Sequence, residues 1–167
     1  MKGLSKKEVE VISALEFDKK YYFTRDNISH HFQKEAHLRH TIHKLLKKER
    51  IISLNKNKYY LIPIKARRGK WADDSFIIAD EIFNGKNYFI GGWAAANYWR
   101  LTDQLPMKIE VYTTKRQGVS KILNTTFIFR RTTQKRIDAS AISEKIGEHT
   151  FKIINKEESK KWYKQRR

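Results

Sequence analysis

The sequence predicts an α+β protein made of two segments. Residues 1–64 show helical patterns followed by two short strand patterns, whereas helices and strands alternate from residue 71 onward. The basic tract 65–70 separates these patterns. We therefore expect an N-terminal domain over 1–64, a basic linker over 65–70 and a C-terminal α/β domain with a small sheet over 71–167.

Three helices are predicted in the first segment. Ser5 with Glu8 three residues later is typical of a capping box, and apolar residues then recur at helical spacing over 5–17. After the aromatic run 21–23, Thr24 is the expected cap of a second helix that extends to about residue 32. A third helix is predicted from about 35 to 49.

A hairpin is predicted to follow the third helix. Residues 51–54 and 59–62 have strand character, and Asn55, Lys56, Asn57 and Lys58 join them. Three helices followed by a basic-tipped hairpin is the order of a winged helix-turn-helix. We therefore assign 1–64 to that fold.

The predicted third helix has two chemically different faces. Leu38, Ile42, Leu45 and Leu46 form an apolar face, and the opposite face carries Ala36 together with imidazole and ammonium groups. Such a helix suits the major groove of DNA, with Arg39 at its flank for the backbone and the hairpin cations for phosphates or the minor groove. A merely solvated amphipathic helix is the alternative. The predicted DNA-binding residues are His37, Arg39, His40, His43, Lys44, Lys47, Lys56 and Lys58.

The charge of the chain favours a polyanionic partner. The 167 residues include 36 Lys and Arg against 18 Asp and Glu, a formal net charge of +18. Up to residue 70 there are 18 basic and 7 acidic residues, so the smaller segment is the more basic. Because neutralised phosphates release counterions, this charge favours a nucleic acid or another polyanion, and together with the predicted winged helix-turn-helix it leads us to expect double-stranded DNA as the partner.

Several classes of protein are disfavoured by composition. The chain has no cysteine, which excludes disulfides, thiolate metal sites and a cysteine nucleophile. Its first ten residues lack an apolar run, and no stretch approaches the length of a membrane span, so we expect a cytoplasmic protein without a membrane partner. No cofactor is expected.

Histidines cluster in the first segment, where five of the six lie between residues 30 and 43. His37, His40 and His43 are spaced so that only neighbouring pairs share a helix face, which disfavours a zinc site, and we predict no metal. Imidazoles near phosphate instead predict a DNA affinity that depends on pH.

The second segment has predicted helices at 75–83, capped by Ser75, and at 93–100. Strands are predicted at 88–90, 108–114 and 126–130, and a helix or two beyond Asp138 lead to the basic tail 160–167. The aromatic residues of 93–99 and Phe127 and Phe129 are expected in the core. Arg130, Arg131, Lys135 and Arg136 form a second basic cluster, which is either a solvated edge or an auxiliary phosphate contact.

The run YFIGGWAAANYWRLTDQLP over 88–106, followed by IEVYT over 109–113, resembles the AbiEi antitoxin family. The resemblance implies an AbiEi-like antitoxin domain over 71–167 behind an N-terminal winged helix-turn-helix. It also implies a transcriptional autorepressor and antitoxin of a type IV toxin–antitoxin operon. Such a protein binds its own operator and is the functional antagonist of a nucleotidyltransferase toxin, without binding that toxin tightly.

A nucleotidyltransferase-fold enzyme is one alternative, because Gly91-Gly92 precedes a helix and Glu110 lies on the next strand. Two catalytic metal ions need two or three acids, and Lys108 stands where the first acid is expected. We therefore expect no enzymatic activity and interpret the segment as a nucleotidyltransferase-like remnant at most. A general nucleic-acid-binding module without an operator is the other alternative.

Overall fold

The computed structural model describes residues 3–64, 66 and 74–166. Within these ranges the chain forms seven helices, a three-stranded antiparallel sheet and a six-stranded mixed sheet. The α+β class predicted from the sequence is therefore confirmed. The chain divides into two compact units, Met1–Trp71 and Ala72–Arg167.

The first unit begins with a helix and ends with a hairpin. Its sheet has the order β1-β3-β2, and both pairings are antiparallel. In chain order the elements are α1 (Lys6–Phe17), β1 (Tyr22–Thr24), α2 (Arg25–Ser29), α3 (Glu35–Lys47), β2 (Ile51–Ser53) and β3 (Lys58–Leu61).

The predicted capping box starts α1. The Glu8 backbone N–H donates to Ser5 Oγ, and the Ser5 backbone N–H donates to a Glu8 carboxylate oxygen. The helix then buries Val11, Ile12 and Leu15 against α3 and the sheet. This apolar contact fixes one side of α3 against the core and leaves the opposite side of the helix exposed.

Two helices of the first unit are shorter than the sequence predicts. We expected α2 to reach residue 32, but His31 and Phe32 donate to carbonyls three residues earlier, so the chain forms turns after Ser29. We expected α3 to reach residue 49, but Glu49 has a left-handed backbone (φ 56°). The Arg50 N–H then donates to the Leu45 carbonyl, which completes a Schellman ending.

The second unit is built on the six-stranded sheet, which is larger than the small sheet predicted. Its strand order is β6-β7-β5-β4-β9-β8; β4 with β9 and β5 with β7 are parallel, and the other pairs are antiparallel. In chain order the elements are α4 (Ser75–Phe83), β4 (Tyr88–Gly91), α5 (Gly92–Tyr98), β5 (Lys108–Thr113), β6 (Gly118–Ile122), β7 (Thr125–Arg131), α6 (Gln134–Ser140), β8 (Ala141–Ile146), β9 (His149–Ile154) and α7 (Lys156–Lys164).

The prediction of one or two helices beyond Asp138 is wrong for residues 141–154. They form the hairpin β8–β9, which turns at Gly147 (φ 58°). Phe151 and Ile153 are buried at the alternate spacing of a strand. β6 was missed because Ile122 is its one buried residue, so its apolar pattern is weak.

Smaller corrections concern caps and side chains. The cap of α4 is Asp74, whose carboxylate accepts from the Phe76 N–H, and not Ser75. Phe127 and Phe129 are buried as predicted, whereas the aromatics of α5 and its end, Trp93, Tyr98 and Trp99, are half-buried. The predicted linker 65–70 lies outside the described residues except for Ala66, which is buried.

None of the helices in 3–64 and 74–166 combines the length and apolar character needed to cross a lipid bilayer.

Candidate nucleic-acid interface

Helix α3 has one buried side and one exposed, nitrogen-rich side. Leu38, Ile42 and Leu45 lie in the core of the first unit, and Leu46 packs half-buried against that core. Because these residues face inward, the helical repeat turns the polar residues outward. The structure exposes all six of the predicted α3 residues: His37, Arg39, His40, His43, Lys44 and Lys47.

The turn between β2 and β3 is fixed by one side chain. Asn55 Oδ1 accepts from the backbone N–H groups of Asn57 and Lys58, at 2.9 Å in each case. This arrangement is an Asx turn, which the Asn-rich hairpin sequence favours. Lys56 is exposed at the tip, whereas Lys58 is half-buried at the start of β3. Of the two hairpin cations, Lys56 therefore has the freer ammonium group.

Most cations of this surface carry no internal counter-charge. Within residues 3–64, neither an ion pair nor a side-chain hydrogen bond joins Lys44, Lys47 or Lys56 to an acidic group. Arg39 differs, because its guanidinium lies 2.5 Å from Glu35 Oε1 one helical turn away. Both members of that pair are more than half exposed, so the pair is weak and a phosphate can replace Glu35.

A groove of about 300 Å³ runs along one flank of α3. His37, His40 and Lys44 line it from α3, and Lys7 and Phe32 line it from the first turn of α1 and the segment before α3. The Lys7 ammonium lies over the Phe32 ring at 5.2 Å and also binds Glu10 at 2.9 Å. The groove thus brings three predicted residues together with a lysine that the sequence analysis missed.

Arg25 is a second cation that the sequence analysis missed. It is exposed at the first residue of α2, and its Nε donates to the Tyr59 hydroxyl at 3.4 Å. That hydrogen bond raises the pKa of Arg25, and Glu35 contributes in the same direction. Arg25 therefore links α2, the hairpin and the start of α3. The sequence signal that could have identified Arg25 is its position directly after Thr24, the predicted cap of α2.

The histidine-rich part of the chain does not assemble a set of metal ligands. In the part of the chain that the structure describes, no group of three or more histidine or acidic side chains is arranged to hold a metal ion. The rings of His30 and His31 lie 4.1 Å apart, and His31 Nδ1 is 3.2 Å from Glu10 Oε1. These two histidines thus interact with each other and with α1.

In the second unit, the Gly91-Gly92 turn packs tightly on β5. Gly92 has φ 62°, and a Cβ there would fall inside the van der Waals contact distance of Glu110 Oε1. A Cβ at Gly91 would meet the Tyr112 ring. The two glycines therefore let α5 start directly against the side chains of β5.

Glu110 is neutralised by an arginine. Arg130 Nε lies 2.5 Å from Glu110 Oε2, and the side chain of Glu110 is only 12% exposed. Lys108 and Asp103 are both exposed, the first at the start of β5 and the second in the preceding loop. The carboxylate next to the glycine turn is thus held by an internal cation.

Comparisons with known proteins include a distant likeness in fold. The crystal structure of the Rv2827c protein from Mycobacterium tuberculosis is similar to this chain with a TM-score of 0.53 and 14% sequence identity, covering 83% of this chain and 50% of that one. At this level of identity the likeness shows the fold alone. The chain spans half the length of that protein. No protein-family model and no curated protein matches the sequence.

Proposed function

We propose that the first unit is a winged helix-turn-helix that binds double-stranded DNA, and that the chain is a transcriptional autorepressor acting on its own operator. The element order α1-β1-α2-α3-β2-β3 with a three-stranded antiparallel sheet supports this assignment. In such a fold α3 enters the major groove, α2 lies across the backbone, and the hairpin contacts adjacent phosphates.

The observation that carries the proposal is the exposed face of α3. Lys44 and Lys47 are exposed without a carboxylate partner among residues 3–64, and three histidines share their side of the helix. An α-helix fits the major groove, where lysine reaches phosphates or guanine and imidazole reaches base edges. Lys56 on the hairpin and Arg25 on α2 would extend the contact to flanking phosphates.

The experiment is a salt titration of DNA binding by fluorescence anisotropy. The wild-type chain and the variant Lys44→Ala/Lys47→Ala/Lys56→Ala are each titrated with the duplex upstream of the gene and with a random duplex. Because each phosphate contact contributes about 0.9 to the slope of log K against log salt, the variant should have a slope smaller by about 2 to 3. An unchanged slope and affinity would reject the proposed interface.

Lys20→Ala is the matched control. Lys20 is exposed like the three test lysines. It lies before β1, at the opposite end of that strand from Arg25 and α2, which belong to the proposed interface. Its replacement removes one positive charge from the same unit and should leave the affinity within about twofold. Compared with the single variant Lys44→Ala, which also removes one charge, this control separates a located interface from a general effect of net charge.

We further propose that the second unit is an antitoxin domain of the AbiEi type. The run that carries this resemblance forms β4, α5, β5 and the loop between α5 and β5. It contains the Gly91-Gly92 turn, which packs against Glu110. The proposal predicts a nucleotidyltransferase-like gene next to this one, and the test is co-expression of the chain with the product of that gene. Rescue of growth by the full chain supports the proposal, and continued toxicity at matched expression rejects it.

The same segment supports a non-enzymatic role. Arg130 is hydrogen-bonded to Glu110, the carboxylate that a catalytic metal ion would need as a ligand. The nearby Lys108 would repel such an ion. We therefore propose that the chain does not transfer nucleotides. Metal-dependent transfer from labelled nucleotide that Glu110→Gln abolishes would overturn this.

A general nucleic-acid-binding module is the second candidate, because the net charge of +18 alone favours any polyanion. The upstream duplex and the random duplex discriminate the two. Affinities that differ by less than about threefold across the salt series would favour the general module over the repressor.

A further inference from the structure

A recess on the sheet of the second unit is not used by the proposed DNA contact. Its volume is about 440 Å³. Ile128 and the 69% exposed Val119 give it an apolar surface, and Tyr112, Arg130 and Arg131 line it as well. Ligand sites combine this kind of apolar surface with a few placed polar groups, and the volume lies within their usual range.

Positive charge from three arginines acts on Tyr112. Arg130 is its register partner on β7, and the Arg136 guanidinium lies 5.6 Å from the centre of its ring. Burial raises the pKa of the Tyr112 hydroxyl and Glu110 adds to the rise, while Arg130, Arg136 and Arg166 oppose it. The arginines come from β7, from α6 and from the end of α7, so three separate elements place positive charge around one ring.

This positive charge is only partly compensated. Glu110 pairs with Arg130, and residues 74–166 contain no carboxylate partner for Arg131, Arg136 or Arg166. Like charges that are brought together repel one another, and the repulsion is relieved when an anion binds between them. The pair with Glu110 also holds the Arg130 guanidinium beside the recess before any ligand arrives.

We propose that this recess binds a nucleoside triphosphate without a divalent metal, with its phosphates on the arginines and its base on the apolar surface. Guanidinium groups match phosphate oxygens with two parallel hydrogen bonds, so arginines can supply the charge that metal ions supply in a transferase. Arg130 is paired with Glu110, so this carboxylate is not available to a catalytic metal ion. The nucleotide is therefore bound without being transferred.

A small ligand fits this recess better than duplex DNA does. Duplex DNA presents its phosphates on the outside of a convex cylinder, whereas Arg130 and Arg131 line a concavity and Arg136 lies beside Tyr112 at its edge. A single nucleotide can enter such a space and meet several guanidinium groups together. Binding of duplex DNA by the same cluster is therefore the competing outcome in the experiment.

The test is isothermal titration calorimetry of the full chain with ATP in the presence of EDTA. We expect saturable binding of one ATP per chain, weakened about tenfold or more in each of Arg131→Gln and Arg136→Gln, since a hydrogen bond to a charged group is lost. Lys145→Gln is the control. Lys145 is exposed on β8, at the opposite edge of the sheet from β6, and its replacement should leave the affinity unchanged.

Three results would overturn the proposal. They are the absence of ATP binding, binding that needs Mg²⁺, and an affinity that Arg131→Gln and Arg136→Gln do not change in variants with wild-type melting curves. Loss of duplex DNA affinity in these variants without any ATP binding would assign the cluster to DNA. The DNA-binding variant Lys44→Ala/Lys47→Ala/Lys56→Ala should still bind ATP normally, so the two proposals fail independently.

Discussion

The substitution Lys48→Met should strongly destabilise the first unit, because Lys48 neutralises a buried carboxylate. Glu8 is 1% exposed, and Lys48 Nζ lies 2.6 Å from its Oε2. The same ammonium donates to the Gly3 carbonyl at 2.8 Å. Glu8 belongs to the first turn of α1 and Lys48 to the end of α3, so the pair joins the two helices.

The size of the effect follows from burial. Methionine preserves the aliphatic length of lysine but leaves the Glu8 carboxylate without its cation, and breaking a fully buried pair costs about 3 to 5 kcal/mol. Lys48 is 18% exposed, so water partly replaces it and we expect about 2 to 3 kcal/mol. For a unit of this size the melting temperature should fall by about 10 to 20 °C.

The assay is differential scanning calorimetry of four chains: wild type, Lys48→Met, Glu8→Gln and the double variant. Glutamine keeps an oxygen for the Ser5 N–H, so Lys48→Met should cost less than about 1 kcal/mol in the Glu8→Gln background. Lys47→Met is the matched control, because Lys47 is exposed and should tolerate the change within about 0.5 kcal/mol. Equal effects of Lys47→Met and Lys48→Met would refute the reasoning.

The effect should also depend on pH. Burial raises the pKa of Glu8, but the hydrogen bonds from Lys48 and Ser5 outweigh burial, so the pKa lies below its ordinary value of 4.5. A carboxyl group whose pKa is lowered by folding stabilises the protein above its unfolded-state pKa, and that contribution is lost as the pH falls through the folded-state value. The difference between wild type and Lys48→Met should therefore be full at pH 7 and shrink below about pH 4.

Three further outcomes follow from the described contacts. Gly92→Ala should lower the melting temperature of the second unit and cost about 1 to 3 kcal/mol, because its Cβ meets Glu110 at a left-handed backbone; a melt equal to wild type would contradict this. Burial and Asp80 raise the pKa of the Tyr88 hydroxyl beyond the accessible range, so ultraviolet titration should find at least one tyrosine fewer ionising up to about pH 11 than in an unfolded control, and Tyr88→Phe should reduce that deficit by one. Asn55→Ala should loosen the hairpin turn and weaken DNA binding about two- to tenfold with little change in salt slope, as anisotropy can measure.

The first unit was largely predictable because its signals are local. The Ser5–Glu8 box and the Asn-rich hairpin act within a few residues, and the helical repeat of α3 fixes which side is exposed. The exposure of seven of the eight DNA-binding candidates could therefore be inferred, whereas Lys58 is half-buried. Their contact with DNA stays a prediction.

The remainder of the fold depends on partners distant in sequence. No residue close to Glu110 in sequence indicates that Arg130, twenty residues later, binds it, because the contact arises from the register of β5 beside β7. Likewise Lys48 meets Glu8 across forty residues. The hairpin β8–β9 was predicted as helix because charged residues on β8 obscure the alternation of apolar and polar residues that is typical of a strand. Pairing of β9 with β4 stabilises the hairpin, and the local sequence does not indicate that pairing.

β6 lies between β5 and β7 along the chain but at the edge of the sheet, and this placement limits which length changes the unit can tolerate. β6 pairs with β7 alone and turns back at Leu123, so extra residues at that turn lengthen a hairpin at the edge and leave the alignment of β7 beside β5 intact. One extra residue inside β7 would exchange the two faces of the strand beyond it, bringing Phe129 into water and Arg130 into the apolar layer. Natural variants of this chain should therefore differ in length at the turn and not within the strand.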